Sequence, residues 1–523
     1  MKNILRSMML CLLLCLSCVP VLAKEPAGSV QITILHTNDM HSRILPEDDR
    51  GNSIGLPEIS AAVKTIRREN PNTLLVDAGD TLHGMPEINI SKGKNMVALL
   101  NAMNYDFMVP GNHDYNYGAD QLQALARGLH FPVLSANTVD RRTSQPLFPA
   151  SKILVYQGVR VAFFGITTPE TALKTSPNNV KNIRFLDAIR STRRVVQQLQ
   201  GKADVIVGIM HVGLDKSSVV TSDAIARAVP GIDVIIDGHS HTELPQGLLV
   251  GSTLIAQTGS YDHNLGRVDL QLQDRKLTGK TARLLSPAEL RTLAPVPDAG
   301  ITRIIDQFKK ANQPLFAEVI AHSQLTLSGD RLLVRREETA LGDLSADALR
   351  SAAQADIALV NGGSIRADLK AGDVTRRDMM AIFLFGNTLK KVELSGLQLQ
   401  EILEHSVSGL PSAFGGFLQV SGLSFSFDPT RPAGQRVIAV TVGSEPLQLG
   451  RSYTAAVSDF LTAGGDGYAQ LKQAKVLGEY GTCEEAMTSW LNQQGVTSQT
   501  PAGRIQPVTA KAAAAVTPLQ PAA

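Results

Sequence analysis

Five short stretches carry residues that could bind and use metal ions. "HTNDMHS" holds Asp39 and His41 as a D-x-H pair, "LLVDAGD" holds Asp80, and "MVPGNHDYNYG" holds Asn112 and His113. "VIVGIMH" ends on His211, and "DVIIDGHSH" holds His239 and His241. Carboxylate and amide oxygens mixed with imidazole nitrogens suit zinc, manganese, cobalt or iron and argue against calcium, which prefers oxygen alone. The set is large enough for two divalent ions. Two cations about 4 Å apart stabilise both the attacking and the departing oxygen of an in-line displacement, and a water shared between them ionises near neutral pH. A lone His at a strand end is commonly a hydrogen-bonded core or surface residue. His36, His83, His130, His263, His322 and His405 are therefore read as structural, and it is the ordered set that points to a metal centre.

Each of these groups follows an apolar run, and those leading to Asp80 and to Asn112-His113 are bounded by Gly, the pattern of a strand buried in a parallel sheet. Ligands of such sheets bind beyond the carboxyl ends of the strands. Strands are expected at "VQITILHTND", "NTLLVDAGD", "YDFMVPGNHD", "FPVLSAN", "RVAFFGITT", "ADVIVGIMH", "IDVIIDGHSH" and "TLIAQTGS", with helices around "LPEISAAVKTIRREN" and "KNMVALLNAMN". Repeated strand-helix alternation predicts a layered α/β sandwich. Near Ala294 the texture changes: "LAPVPDAG" is rich in turn residues, and "ITRIIDQFKKANQ" has helical spacing. The expected organisation is a first domain over 24–293, a linker and connecting helix over 294–317, a second α/β domain over 318–507, and a disordered Ala/Pro tail over 508–523.

A chain of 523 residues is too long for one core, which agrees with two domains. An apolar fraction of 43% and a net charge of +2 describe an ordinary globular protein and give no basis for binding a nucleic acid polymer. The first 23 residues carry Lys2 and Arg6, then an apolar stretch, then Val21-Leu22-Ala23, the form of a secretory signal cleaved before Lys24. The apolar stretch is short for a membrane span, so export to the periplasm or beyond is expected with no stable span after cleavage. Cys11, Cys15 and Cys18 fall inside the signal, leaving Cys483 alone and no internal disulfide in the mature chain.

The ordered motifs "D-x-H", "GD", "GNHD", "H" and "GHSH" resemble those of the calcineurin-like metallophosphoesterases. Within that group the chain is most similar to secreted bacterial 5'-nucleotidases, relatives of which hydrolyse UDP-sugars or cyclic nucleotides. The resemblance implies an N-terminal four-layer sandwich followed by a second α/β domain that binds the substrate. It also implies one metal on Asp39, His41, Asp80 and His241, and another on Asp80, Asn112, His211 and His239, with Asp80 bridging. His241 departs from the Gln found there in several relatives.

His113, beside Asn112, is the expected general acid for the leaving oxygen. Relatives commonly orient this His with an Asp three residues later, where this chain has Asn116, so either Asn116 or Asp114 is expected to orient it. In the second domain the resemblance points to Arg335 and Arg366 for phosphate oxygens, with Asn361 beside them. Phe385 and Phe460 would sandwich a base, with Asn387 nearby, and Asp466 would accept from ribose hydroxyls. Arg376 and Arg377 are candidates for a further phosphate contact. The implied partner is a nucleotide, and the implied activity is hydrolysis of nucleoside 5'-monophosphates, with UDP-sugars or diphosphates as further substrates. The alternative is a 2',3'-cyclic-nucleotide 2'-phosphodiesterase that also removes the 3'-phosphate; a non-catalytic nucleotide-binding surface protein is a more distant one.

Overall fold

The structure is a computed structural model that describes residues 28–46, 53–175, 177–216, 218–496 and 500–508. The expected signal over 1–23 and all but the first residue of the expected tail lie outside the described residues. Among the described residues no helix is long and apolar enough to cross a membrane.

Two sheets make the first domain. One runs in the order Lys276–Leu285, Leu265–Gln273, Ser29–Thr37, Thr73–Asp77, Phe107–Met108. The other runs Leu248–Val250, Thr253–Ala256, Val234–Ile236, Val205–His211, Val159–Thr167, Ser151–Tyr156. The central strands of both are parallel, and antiparallel strands close the edges. Continuous apolar runs are needed because these strands are covered on both faces. Ile32, Ile34, Leu74 and Val76 of the first sheet meet Phe163, Val205, Val207 and Val234 of the second in one buried layer. Helices Leu56–Glu69 and Lys94–Ala102 cover the outer face of the first sheet, and Ala188–Leu199 and Ser222–Ala228 that of the second. The result is the four-layer sandwich the motifs imply. Two expected strands shrink: "YDFMVPGNHD" pairs only over Phe107–Met108, and "FPVLSAN" contributes a single bridge at Val133, the regular strand starting at Thr138.

The turn-rich linker is tied to this domain. Asp298 caps helix Ala299–Phe316, accepts from Ser60 Oγ at 2.5 Å and pairs with Lys64, while Ile301 and Ile305 enter the first domain's core. The second domain has a five-stranded sheet, Leu418–Ser421, Ile357–Asn361, Ser452–Ser458, Thr388–Ser395, Lys475–Thr482, and a four-stranded sheet that ends on Ile505–Pro507. Helices Ala340–Ala353 and Cys483–Gln493 pack with one apolar cluster, and helix Gly396–Val407 with another. Cys483 is a buried free thiol, and burial pushes its pKa up to about 12.

Candidate active site

The parallel strands of the two sheets end together and bring the candidate donors to one edge. Asp39 and His41 follow strand Ser29–Thr37, Asp80 follows Thr73–Asp77, and Asn112 and His113 follow Phe107–Met108. His211 closes Val205–His211, and His239 and His241 follow Val234–Ile236.

The backbone there is strained. Asp39 (φ 51°), His41 (45°), Asp80 (58°), His239 (79°) and His241 (54°) all adopt left-handed conformations, which cost an L residue about 1–2 kcal/mol each. Such strain persists only where surrounding bonds over-determine it. Asp39 N–H donates to the Gly79 carbonyl at 2.9 Å, and His41 N–H to the Asp80 carbonyl at 2.8 Å. Gly111 packs so closely that a Cβ there would overlap the Asp80 carboxylate and the His211 ring.

The side chains converge as acceptors. His211 Nδ1–H donates to the Ala78 carbonyl at 2.7 Å, which turns its Nε2 toward Asp80 Oδ2 (3.3 Å) and Asp39 Oδ1 (4.0 Å). His241 Nε2 lies 3.5 Å from Asp39 Oδ1 and 3.2 Å from His41 Nε2. His239 Nδ1 is 2.9 Å from Asn112 Oδ1, and its Nε2 is 3.3 Å from Glu170 Oε2. Donor atoms of Asp39, His41 and His241, and those of Asp39, Asp80 and His211, lie within 4.8 Å of one another. Burial pushes the Asp39 pKa up to about 8. Burial opposes protonation of His211, yet the carboxylates of Asp80 and Asp39 raise its pKa to about 10. Buried acceptors at these spacings need positive charge between them, and a mixed nitrogen and oxygen set fits a divalent transition metal.

His113 sits beside this cluster. Its backbone N–H donates to Asp80 Oδ1 at 2.7 Å, and its Nδ1 accepts from Asn116 Nδ2 at 3.0 Å. The amide is aimed by Thr175, whose hydroxyl donates to Asn116 Oδ1 at 2.6 Å. Asp114 is not an orienting group for His113, which corrects that expectation. Its carboxylate accepts four backbone N–H groups, from Asp80, Thr81, Leu82 and Gly111 at 2.7–2.9 Å. It therefore ties two donor loops to each other.

The second domain presents its candidates across a shared cavity of about 970 Å³ lined by both domains. Arg335, Asn361, Arg366, Phe385, Asn387, Phe460 and Asp466 all line it, together with His41, Asp80, Asn112, His113, His239 and His241. Arg335 is half-buried, its inaccessible Nε has no hydrogen-bond partner among the described residues, and desolvation beside Arg331 and Arg366 depresses its pKa. Three guanidiniums so placed favour an anionic ligand. Asn361 Nδ2 donates to Asp466 Oδ2 at 3.0 Å, and Asn387 Nδ2 to Asp459 Oδ1 at 2.9 Å. Phe385 lies parallel to His83 (5.5 Å, 2°) and nearly so to His113 (5.7 Å, 14°), so in this structure it stacks on imidazoles of the first domain. Arg376 and Arg377, candidates for a further phosphate contact, do not line this cavity; they pair with Glu318 at 2.7 Å and with Glu87 at 2.8 Å.

Sequence reasoning missed several residues in and beside the cavity, among them His83, Glu170, Arg331 and Phe414. His83, three residues after Asp80, stands just behind the cavity wall, parallel to Phe385 and 3.1 Å from Asn116 Nδ2. Glu170 follows strand Val159–Thr167 as the other donors follow theirs, and Arg331 stands four residues before Arg335 in the turn that precedes helix Ala340–Ala353. Phe414, in "PSAFGG", had no periodic signal and lies under the Lys174 ammonium at 5.6 Å.

Comparison with known proteins agrees with this arrangement. The calcineurin-like phosphoesterase pattern matches residues 32–243, and the 5'-nucleotidase C-terminal domain matches residues 319–473. The 5'-nucleotidase of Vibrio cholerae is 28% identical over 519 residues, covering 90% of this chain and 92% of that protein. The trifunctional nucleotide phosphoesterase protein YfkN of Bacillus subtilis is 31% identical over 497 residues; the match covers 86% of this chain but only 33% of that longer protein. The crystal structure of a 5'-nucleotidase precursor from Thermus thermophilus superposes with a TM-score of 0.81 at 29% identity, covering 92% of this chain and 99% of that one. A strand-end cluster of metal donors, a second domain that supplies cations and aromatic rings, and both sequence patterns in order lead to one assignment: the chain belongs to the calcineurin-like phosphoesterases that carry a 5'-nucleotidase C-terminal domain, and it is a metal-dependent phosphoester hydrolase.

Proposed function

We propose that this enzyme is an exported dinuclear 5'-nucleotidase that cleaves nucleoside 5'-monophosphates to nucleoside and phosphate. The observation that carries the reading is the cavity itself: buried metal donors on one wall, clustered guanidiniums and aromatic rings on the other. Asp39, His41, Asp80 and His241 would hold one ion, and Asp80, Asn112, His211 and His239 the other. Bound there, the ions would neutralise phosphate oxygens and supply an ionised water as nucleophile.

The protein's own groups do the rest. Arg335, Arg366 and the newly placed Arg331 take the phosphate oxygens. His113, its Nδ1 occupied by Asn116, carries its proton on Nε2 and donates it toward the departing ribose oxygen. Phe460 and Phe385 offer faces for any base, and Asp466 accepts from ribose. The leader-like first 23 residues support export, and the Thermus neighbour is itself named a precursor.

Phosphate release from a panel of AMP, UDP-glucose, 3'-AMP and 2',3'-cyclic AMP tests the reading. AMP is expected to have the highest kcat/KM. A preference for 2',3'-cyclic AMP and 3'-AMP would replace it with the cyclic-nucleotide activity, which the neutral amide beside His113 also suits.

A further inference from the structure

The Asn116 amide faces two imidazoles, and only one of them is the candidate acid. Nδ2 lies 3.0 Å from His113 Nδ1 and 3.1 Å from His83 Nδ1, so its two hydrogens are both used, while Oδ1 takes the Thr175 hydroxyl. Every polar atom of the amide is engaged, and turning it over would set its oxygen against two ring nitrogens that need a donor. His83 is buried, and burial lowers its pKa to about 3, so it is neutral with a single ring proton. Since Nδ1 accepts from Asn116, that proton is on Nε2, and the imidazole bonds the backbone carbonyl of Leu384 in the second domain. The same carbonyl accepts from Asn89 Nδ2 at 3.2 Å. The next residue, Phe385, lies flat on the His83 ring, with Tyr117 at 5.1 Å from that ring.

We propose that His83 is a positioning residue for ester cleavage: through Asn116 it keeps His113 in the tautomer protonated on Nε2, and through Leu384 it makes that hold depend on seating of the Phe385 loop. A continuous chain then runs from the second domain to the acid, Leu384 carbonyl to His83 to Asn116 to His113. Without His83 one amide hydrogen of Asn116 is unpaired, and the amide is free to swing off His113. The inference rests on His113 acting as the acid.

Substituting His83→Phe keeps a ring against Phe385 and removes both nitrogen contacts. Turnover of AMP should fall roughly tenfold, the worth of one buried hydrogen bond, with the metal content and KM little changed. Hydrolysis of 4-nitrophenyl phosphate, whose leaving group needs no proton, should be nearly unaffected. In a His113→Ala background the same substitution should cost nothing further on AMP. His83→Asn, whose side-chain oxygen can take the Asn116 hydrogen, should recover most of the lost turnover. Thr175→Val, loosening the amide from its other end, should reproduce the AMP-selective loss even if His83→Phe folds poorly. Equal losses on both esters, or a full additional loss in the His113→Ala background, would overturn the proposal. An undiminished AMP rate in His113→Ala alone would instead overturn the role of His113.

Discussion

At the scale of single residues, the site depends on close approach and on strained backbone. Asp80 touches His211 with its carboxylate, accepts from His113 N–H, and is itself held by Asp114. Asp80→Ala should abolish hydrolysis and remove metal if, as proposed, its carboxylate would serve both ions; retention of two ions per chain by elemental analysis would refute the bridge. Gly111→Ala is expected to act by geometry alone. The added methyl displaces Asp80 and the His211 ring, so metal affinity should fall, at a stability cost of about 1–3 kcal/mol. A variant that binds metal as the parent does would contradict that packing. The convergence of the donors was legible in the chain because each follows an apolar run ended by small or polar residues. His83 was not, since a His three residues past a donor looks like any loop His until a second domain is laid over it. Asp114 misled for the opposite reason: adjacency to His113 in sequence said nothing of the four amides that claim its carboxylate.

At the scale of elements, the strand Ser29–Thr37 must be right before any donor is placed. It pairs in parallel with Thr73–Asp77 and antiparallel with Leu265–Gln273, setting His36 opposite Gly266. His36 is buried, neither ring nitrogen has a hydrogen-bond partner among the described residues, and a Cβ on Gly266 would enter its ring. Gly266→Ala should therefore destabilise the fold by about 1–3 kcal/mol, read as a lower denaturation midpoint; an unchanged midpoint would contradict the register. Burial lowers the His36 pKa from about 6.5 to about 3, so the unfolded chain binds a proton there before the folded chain does. Stability from this group is full above about pH 6.5 and is lost as pH falls through that window. An imidazole resonance of His36 that titrates near 6.5 in the folded protein would rule this out. Alternation of apolar runs and helical spacing was enough to read the layered sandwich. Strand length was not: after Met108 the chain turns into the donor loop, which tertiary packing decides.

At the scale of the whole molecule, two domains share one cavity, and each is incomplete alone. Phe460 belongs to the second domain and to none of the candidate metal donors. Phe460→Ala should raise KM for AMP by roughly 5- to 100-fold, matching about 1–3 kcal/mol of base stacking, while hydrolysis of 4-nitrophenyl phosphate stays nearly intact. Equal effects on both esters would remove Phe460 from the nucleoside pocket. The linker reads as a joint in the sequence, yet Asp298 and the first turns of helix Ala299–Phe316 are fastened to the first domain, which leaves the helix's far end, near Ala317, as the place where the domains separate. That shift was not visible in composition, because capping by Asp298 depends on Ser60 and Lys64 from a distant helix. The central claim is that two ions, gathered by strand ends of the first domain, cleave a nucleotide presented by the second. Its most direct test is to strip the protein with a chelator and titrate Mn²⁺ back while recording phosphate release from AMP. Activity that reaches its plateau at two ions per chain is the predicted result; full activity at one ion, or in the stripped protein, would contradict it.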